Sequence, residues 1–341
     1  MIATRFTELI GCTVPIQLAG MGAAAPPELA AAVSEAGALG MLGTARPGLT
    51  PATLADLLER VRVLTDKPFG VNFIVAPIFL HGTSTRPPLD LKCIEIAAQA
   101  AKVVEFFYGE PERRLVEMAH AGGALACWQV GSQEEAVAAA RAGCDFVVAQ
   151  GIEAGGHVRG TTPTMTLLSE VIPAVGIPVL AAGGIGTGRA MAAALAAGAD
   201  GVRVGTRFVA AAEAAVHPEY VAALIGAEAH DTAYTTAFSI GWPDAPHRVL
   251  RSSIAAAEAF QGDAIGETSR LDGTRMPIVR FQVGVPGRTT TGAIEAMSLW
   301  AGESVGAVKR VQPAAEIVRE LVEEAERSRP QEERTVMSAS L

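Results

Sequence analysis

A chain of 341 residues, half of them hydrophobic, 5% aromatic and 18% charged, is long enough for one large packed domain, or for that domain and a smaller one. Its net charge of -9 offers nucleic acid and acidic membrane surfaces no general attraction, and no apolar run reaches the ~18 residues of a membrane span. Cys12, Cys93, Cys127 and Cys144 are scattered without CxxC spacing, which argues against a disulfide scaffold or a zinc site.

The start, MIATRFTELIG, lacks the basic stretch and apolar core of a secretory signal, so a cytoplasmic location is expected. The first predicted strand is VPIQL (14–18), followed by a helical stretch at 26–37 and the strand ALGML (38–42). A second helix, 50–66, precedes PFGVNFIV (68–75). A Pro-rich connection from 77 contains the helical segment LKCIEIAAQA and leads to KVVEFF (102–107). The strands ALACWQV (124–130), DFVVAQ (145–150), IPVLAAGG (177–184) and GVRVG (201–205) then alternate with helices at 110–123, 132–143, 162–176 and 187–200. Several of these helices end in Gly, a common C-terminal cap.

Eight strands separated mostly by single helices are best closed as an α/β fold, a (β/α)8 TIM barrel over residues 1–212, with an open doubly wound sheet as the competitor. After Phe208 the alternation stops, and residues 213–300 read as a smaller, mostly helical domain with a lid-like segment. Residues 301–328 contain a closing helix expected to return to the barrel, and 329–341 read as a disordered tail.

The strand ends carry the chemistry. Gly183 and Gly184, with Gly186 opening the next loop, and then Gly205 and Thr206, sit at successive strand ends, where backbone N–H groups and a hydroxyl converge as phosphate requires. The run GGIGTG does not match the dinucleotide fingerprint in register and lies at the seventh strand, so that mode of NAD binding is set aside. GIEAGGHVRG (151–160) presents His157 beside Gly155 and Gly156; imidazole exchanges a proton near neutral pH. Glu153 either orients His157 or caps the turn. The six histidines have no close spacing that suits a metal, and no metal site is expected.

At the first strand, PIQLAGMG puts Gln17, Gly20, Met21 and Gly22 at the barrel mouth. Asn72 and Gln129 are amides in apolar strands, and a buried amide must find partners. A flat heteroaromatic ring with a phosphate tail would use all these features, and flavin mononucleotide (FMN) fits. Tyr108, just after the fourth strand, is the leading candidate for a substrate contact, with Trp242 and His247 behind it.

Together PIQLAGMG, KPFGVNF, EAGGH, PVLAAGGIGTGRAMAAALAAGADGVRVGTRF and MSLWAGESVG resemble the nitronate monooxygenase family over roughly residues 5–325. The resemblance implies a flavin-binding (β/α)8 barrel that oxidises alkyl nitronates with molecular oxygen to carbonyl compounds and nitrite. It implies His157 as catalytic and substrate-binding residue. Gly20, Met21 and Asn72 would lie around the flavin ring, and Gly183, Gly184, Gly205 and Thr206 at the phosphate. Gln17, Ala19, Gln129, Gln150, Gly155, Gly156 and Ala182 complete the expected cofactor-binding set. Gln129 stands where relatives carry lysine, which takes a cation away from the expected flavin position. The resemblance extends to FMN-dependent NADH:quinone reductases and enoyl-acyl-carrier-protein reductases, which also use EAGGH followed by TMTL, so NADH-dependent reduction is the alternative activity. A monomer or homodimer is expected.

Overall fold

The structure, a computed structural model, describes residues 2–76 and 88–328. Eight parallel strands build the core: β1 (Ile16–Leu18), β2 (Gly40–Gly43), β3 (Phe69–Ile74), β4 (Val103–Phe107), β5 (Leu125–Val130), β6 (Phe146–Gln150) and, after the short outlying strand β7 (Gly156–His157), β8 (Val179–Ala182) and β9 (Gly201–Val204). They pair in the order β1-β9-β8-β6-β5-β4-β3-β2. A parallel bridge between Gln17 and Leu39 then joins the two ends, with Leu18 N–H donating to Leu39 O and Leu39 N–H to Ile16 O, each at 2.9 Å. The sheet therefore closes on itself, and the open doubly wound alternative is excluded.

The helices α1 (Arg5–Ile10), α2 (Pro27–Glu35), α3 (Pro51–Leu64), α4 (Lys92–Ala100), α5 (Arg113–Ala121), α6 (Gln133–Ala142), α7 (Thr164–Val171) and α8 (Gly188–Ala196) surround the barrel strands. Local chemistry fixes where several begin. Thr50 and Thr53 form a reciprocal capping box at α3, while the Ser132 and Thr187 hydroxyls accept from Glu135 N–H and Ala190 N–H. In α3 the buried residues Leu54, Leu58 and Val61 recur at helical spacing and form the face turned to the sheet. Glu153 resolves to a cap: both of its carboxylate oxygens accept from Thr164 N–H at 3.0 Å, and Oε2 also accepts the Thr164 hydroxyl at 2.8 Å.

Aromatic side chains fill part of the packed core. Trp128 is fully buried, tilted against Phe106 at 5.0 Å between ring centroids, and donates from Nε1 to Gly109 O at 3.0 Å. Trp128→Ala removes a large ring and orphans that carbonyl, and is expected to lower the unfolding free energy by about 3–5 kcal/mol, read from chemical denaturation.

Beyond α9 (Thr206–Val209), residues 213–300 contain the helices α10 (Pro218–Ile225) and α11 (Arg251–Ala259). They hold more strand than their sequence pattern suggests. Strands β10 (Thr232–Thr235) and β11 (His247–Leu250) pair antiparallel and continue onto β7, while β12 (Ala264–Ser269), β13 (Arg275–Val279) and β14 (Thr291–Gly292) make a second antiparallel sheet. These strands are short and mostly half-exposed, so they lack the apolar runs that marked the barrel strands. The Asp272-Gly273 pair in the turn joining β12 to β13, with Gly273 at φ 81°, is a local hairpin signal that the sequence reading passed over. The final helix, α12 (Ala314–Ser328), packs on α8 and α2, and its Glu324 accepts from Gly188 N–H at 2.7 Å. The tail expected over 329–341 lies outside the described residues.

Among the described residues no helix is long and apolar enough to cross a membrane. Nor, among them, does any group of three or more His, Cys, Asp and Glu side chains suit a metal ion.

Candidate active site

The C-terminal ends of the barrel strands open into a cavity of about 450 Å³, the end of this fold at which side chains from many strands converge. Its walls bring together Ala19, Gly20, Met21, Asn72, Gln129, Gln150, Gly155, Gly156, His157, Ala182, Gly183, Gly184, Gly205 and Thr206. From the other side come residues of the excursion, among them Tyr220, Trp242, Val283 and Trp300. Two expected residues stand apart from the lining. Gln17 is fully buried beneath the floor, because its side chain points into the barrel interior between Arg203 and Glu105. Tyr108 packs behind the wall, edge-on to Trp242 at 4.7 Å.

At one end of the cavity, Gly183 and Gly184 take successive left-handed φ values of 104° and 70°, a conformation that side chains resist, so the loop into α8 stays open and small. The Thr206 hydroxyl oxygen accepts from Gly302 N–H at 3.0 Å, which leaves its own proton to donate. Glycine at 20 is required by space: a Cβ there would stand 2.4 Å from Cβ and Cγ of Asn72.

The floor is polar. Glu105 and Arg203, from opposite parts of the barrel, form a buried ion pair. Asn72 Nδ2 donates to Glu105 Oε1 at 2.7 Å, Gln17 Nε2 donates to Glu105 Oε2 at 3.1 Å, and Arg203 donates to Gln17 Oε1 at 3.2 Å and to Gln129 Oε1. Burial lowers the Arg203 guanidinium to about 9, which leaves it a cation near neutral pH. Arg203 thus places a positive charge beside Gln129, one side chain away. Sequence reading passed over this pair, although a Glu in VVEFF and an Arg in GVRV are the signal: opposite charges inside otherwise apolar barrel strands.

His157 is presented by strand β7, not by a free loop, because Gly156 and His157 pair antiparallel with Arg248 and His247 of β11. Its ring stacks on Trp242 at 3.9 Å and 25°, with Trp300 at 5.2 Å and Tyr108 at 6.2 Å around it. His247 is fully buried outside the cavity lining. Its Nε2 accepts from Phe238 N–H at 3.2 Å, so Nδ1 carries the proton and donates to Ala245 O at 3.0 Å; burial pulls its pKa down and keeps it neutral. It packs behind the cavity wall, its one ring N–H committed to a backbone carbonyl.

A flavin fits these groups on an observation internal to the cavity. Gln150 donates from Nε2 to His157 O at 3.0 Å, and its buried Oε1 has no hydrogen-bond partner among the described residues. A ligand N–H would satisfy that acceptor, while the glycine loop and the Thr206 hydroxyl suit an anionic tail.

The nitronate monooxygenase family matches residues 3–324. The chain belongs to that family. As a member of the nitronate monooxygenase family it is a flavin-dependent oxidoreductase. It is similar to a nitronate monooxygenase of Pseudomonas aeruginosa, 34% identical over 94% of this chain and 98% of that one. It is equally 34% identical, over 78% of this chain and 70% of the other, to the (3aS,4S,5R,7aS)-5-hydroxy-7a-methyl-1-oxo-octahydro-1H-indene-4-carboxyl-CoA dehydrogenase of Rhodococcus jostii. Among solved structures, FabK from Thermotoga maritima superposes with a TM-score of 0.76 at 31% identity, covering 96% of this chain and 97% of that one.

Tyr108 adopts an uncommon left-handed φ of 83°, its carbonyl held by Arg159, and burial raises its phenol to about 12. Burial also raises the other two tyrosines of the chain, Tyr220 and Tyr234. A folded pKa above the ordinary 10 means stability that is complete below pH 10 and lost as pH climbs through the folded value, about 12 for Tyr108. Tyrosinate absorbance of the native family member is therefore expected to rise only above pH 10, later than in the unfolded chain. A full phenol titrating at pH 10 in the folded protein would refute this.

Proposed function

We propose that this chain uses FMN to oxidise alkyl nitronates with molecular oxygen, yielding a carbonyl compound and nitrite. The observation that carries the reading is His157, held against Trp242 on the wall of a cavity whose glycine loops and amide floor suit a flavin. The likeness to the Pseudomonas nitronate monooxygenase along nearly the whole of both chains supports it. The ring would lie against Ala19, Gly20, Met21, Asn72 and Gln129, with the phosphate at Gly183, Gly184, Gly205 and Thr206. The chemistry supplied by bound FMN is the passage of electrons from the nitronate to oxygen.

The protein's own residues bind, orient and move a proton. A nitronate beside His157 accepts a hydrogen bond from the imidazole N–H, whereas a nitroalkane that enters unionised gives the proton of its α-carbon to the neutral imidazole and becomes the nitronate. The Trp242 stack fixes the plane of that imidazole, and Trp300, Val283 and Ile278 give the pocket an apolar wall that keeps water from the reacting carbon. Aerobic incubation of the FMN-loaded protein with propionate 3-nitronate tests the reading: nitrite release supports it, and an inert mixture sinks it.

The second reading is a redox reaction on an acyl thioester, favoured by the likeness to the Rhodococcus CoA-ester dehydrogenase and by the polar mouth formed by Thr268, Ser269 and Arg288. Rapid anaerobic bleaching of the flavin by NADH, with no nitrite from nitronates in air, would move the assignment there. A 1–212 barrel, a 213–300 excursion and a 301–328 return form the proposed domain division. A small-molecule substrate, a cytoplasmic location and a monomer or homodimer complete the reading.

A further inference from the structure

The interior of a (β/α)8 barrel is ordinarily filled by branched apolar side chains, yet here a carboxylate with no exposure and a guanidinium with 5% exposure meet beneath the cavity. A buried ion pair is poor value for stability, since desolvating both charges offsets most of their attraction. The arrangement around this one gives it another use. A carboxylate only accepts and a guanidinium only donates, so each dictates which end of a neighbouring amide it takes.

Glu105 takes the Nδ2 end of Asn72 at 2.7 Å, which leaves the Asn72 carbonyl oxygen for the cavity. Arg203 takes the Oε1 end of Gln129, which leaves the Gln129 NH2 group for the cavity. Gln17 bridges the two charges, donating to Glu105 at 3.1 Å and accepting from Arg203 at 3.2 Å, and so completes the network with each end correctly used.

We infer that Glu105 and Arg203 are positioning residues that set the polarity of the cavity floor, presenting an acceptor at Asn72 and a donor at Gln129 to the imide edge of a flat ring. This rests on the flavin reading above. The edge of an isoalloxazine carries an N3–H donor flanked by carbonyl acceptors, the complement of such a floor. Neither ion is needed to touch the ring; reversing either amide would set like against like, which costs a hydrogen bond twice over.

The test uses the full chain stripped of flavin, with FMN and N3-methyl FMN as probes and fluorescence quenching as the readout. Wild-type protein that fails to bind FMN overturns the flavin reading itself. If it binds, N3-methylation is expected to weaken affinity by about tenfold or more, because the methyl group removes the donor that Asn72 receives. The double variant Glu105→Gln/Arg203→Gln, which leaves the net charge of the floor unchanged, frees both amides to flip. It is expected to bind FMN about tenfold more weakly and to lose the discrimination against N3-methyl FMN, at a thermal midpoint close to that of the wild type.

The single variants report the charges separately. Arg203→Gln leaves a net negative floor and is expected to lower the midpoint potential of bound FMN, whereas Glu105→Gln leaves a net positive floor and raises it. Arg203→Lys restores the charge without the fork, so the potential recovers, and because Glu105 still orients Asn72 the discrimination against N3-methyl FMN is retained. A double variant that binds both flavins in the wild-type ratio and at the wild-type potential would overturn the inference, leaving the pair a purely structural one. Should the double variant fail to fold, the charge-preserving Glu105→Asp decides in its place: its carboxylate, drawn back by one methylene, no longer holds Asn72, so the discrimination against N3-methyl FMN is expected to fall, and a wild-type ratio would overturn the inference.

Discussion

Replacing His157 with Asn is expected to cut turnover of a neutral nitroalkane by about 10²–10⁴-fold, the usual worth of a positioned general base. Flavin content should stay as in the wild type. Asparagine retains the β7 backbone pairing with β11, since that register is carried by the main chain. It forfeits the imidazole that stacks on Trp242, a loss of about 0.5–1.5 kcal/mol in packing. A substrate supplied as the preformed nitronate needs no proton removed, so its turnover should fall by only about tenfold, the value of one hydrogen bond to a charged group. Steady-state assays of the two substrate forms over one pH range separate the roles. Equal losses for both would reduce His157 to a binding residue, and no loss for either would remove it from the chemistry.

Gly20→Val should yield protein without flavin. A Cβ at this position lies 2.4 Å from both Cβ and Cγ of Asn72, closer than real atoms approach, and 2.7 Å from its Oδ1. The valine displaces the Asn72 side chain from the cavity floor and breaks its bond to Glu105. Overpacking of this kind costs about 1–3 kcal/mol, which a core of this size survives, while FMN affinity should drop by more than about tenfold. The visible spectrum of the purified variant and its unfolding curve measure the two effects. Gly176→Ala is the matched control, because nothing lies within 4 Å of the added carbon. Full flavin content in Gly20→Val would mean that this wall is not the cofactor's bed.

The barrel was legible because buried parallel strands must be apolar along their length and each helix must carry its own start and stop signals. VPIQL, PFGVNFIV and DFVVAQ are such runs, and Thr50, Ser132 and Thr187 are such starts. Closure was a different matter. Periodicity counts strands without saying whether the first meets the second, and that contact is made by backbone atoms of Ile16, Leu18 and Leu39 whose side chains carry no record of it. The antiparallel strands between 213 and 300 were missed because they are short, most of them half-exposed, and because β7 finds its partner β11 some ninety positions further along the chain.

By itself the sequence determined the eight alternating strands, the glycine-bearing strand ends and most of the residues that face the cavity, since strand and turn chemistry act over a few neighbours. Tertiary structure alone decided that His157 stands on a strand against Trp242, that Tyr108 and Gln17 sit behind the lining, and that Arg203 supplies the charge beside Gln129. Those outcomes depend on side chains from distant strands meeting inside a closed barrel. Glu105 and Arg203 are 98 positions apart and share only the barrel's interior, where each charge is tolerable because the other is there.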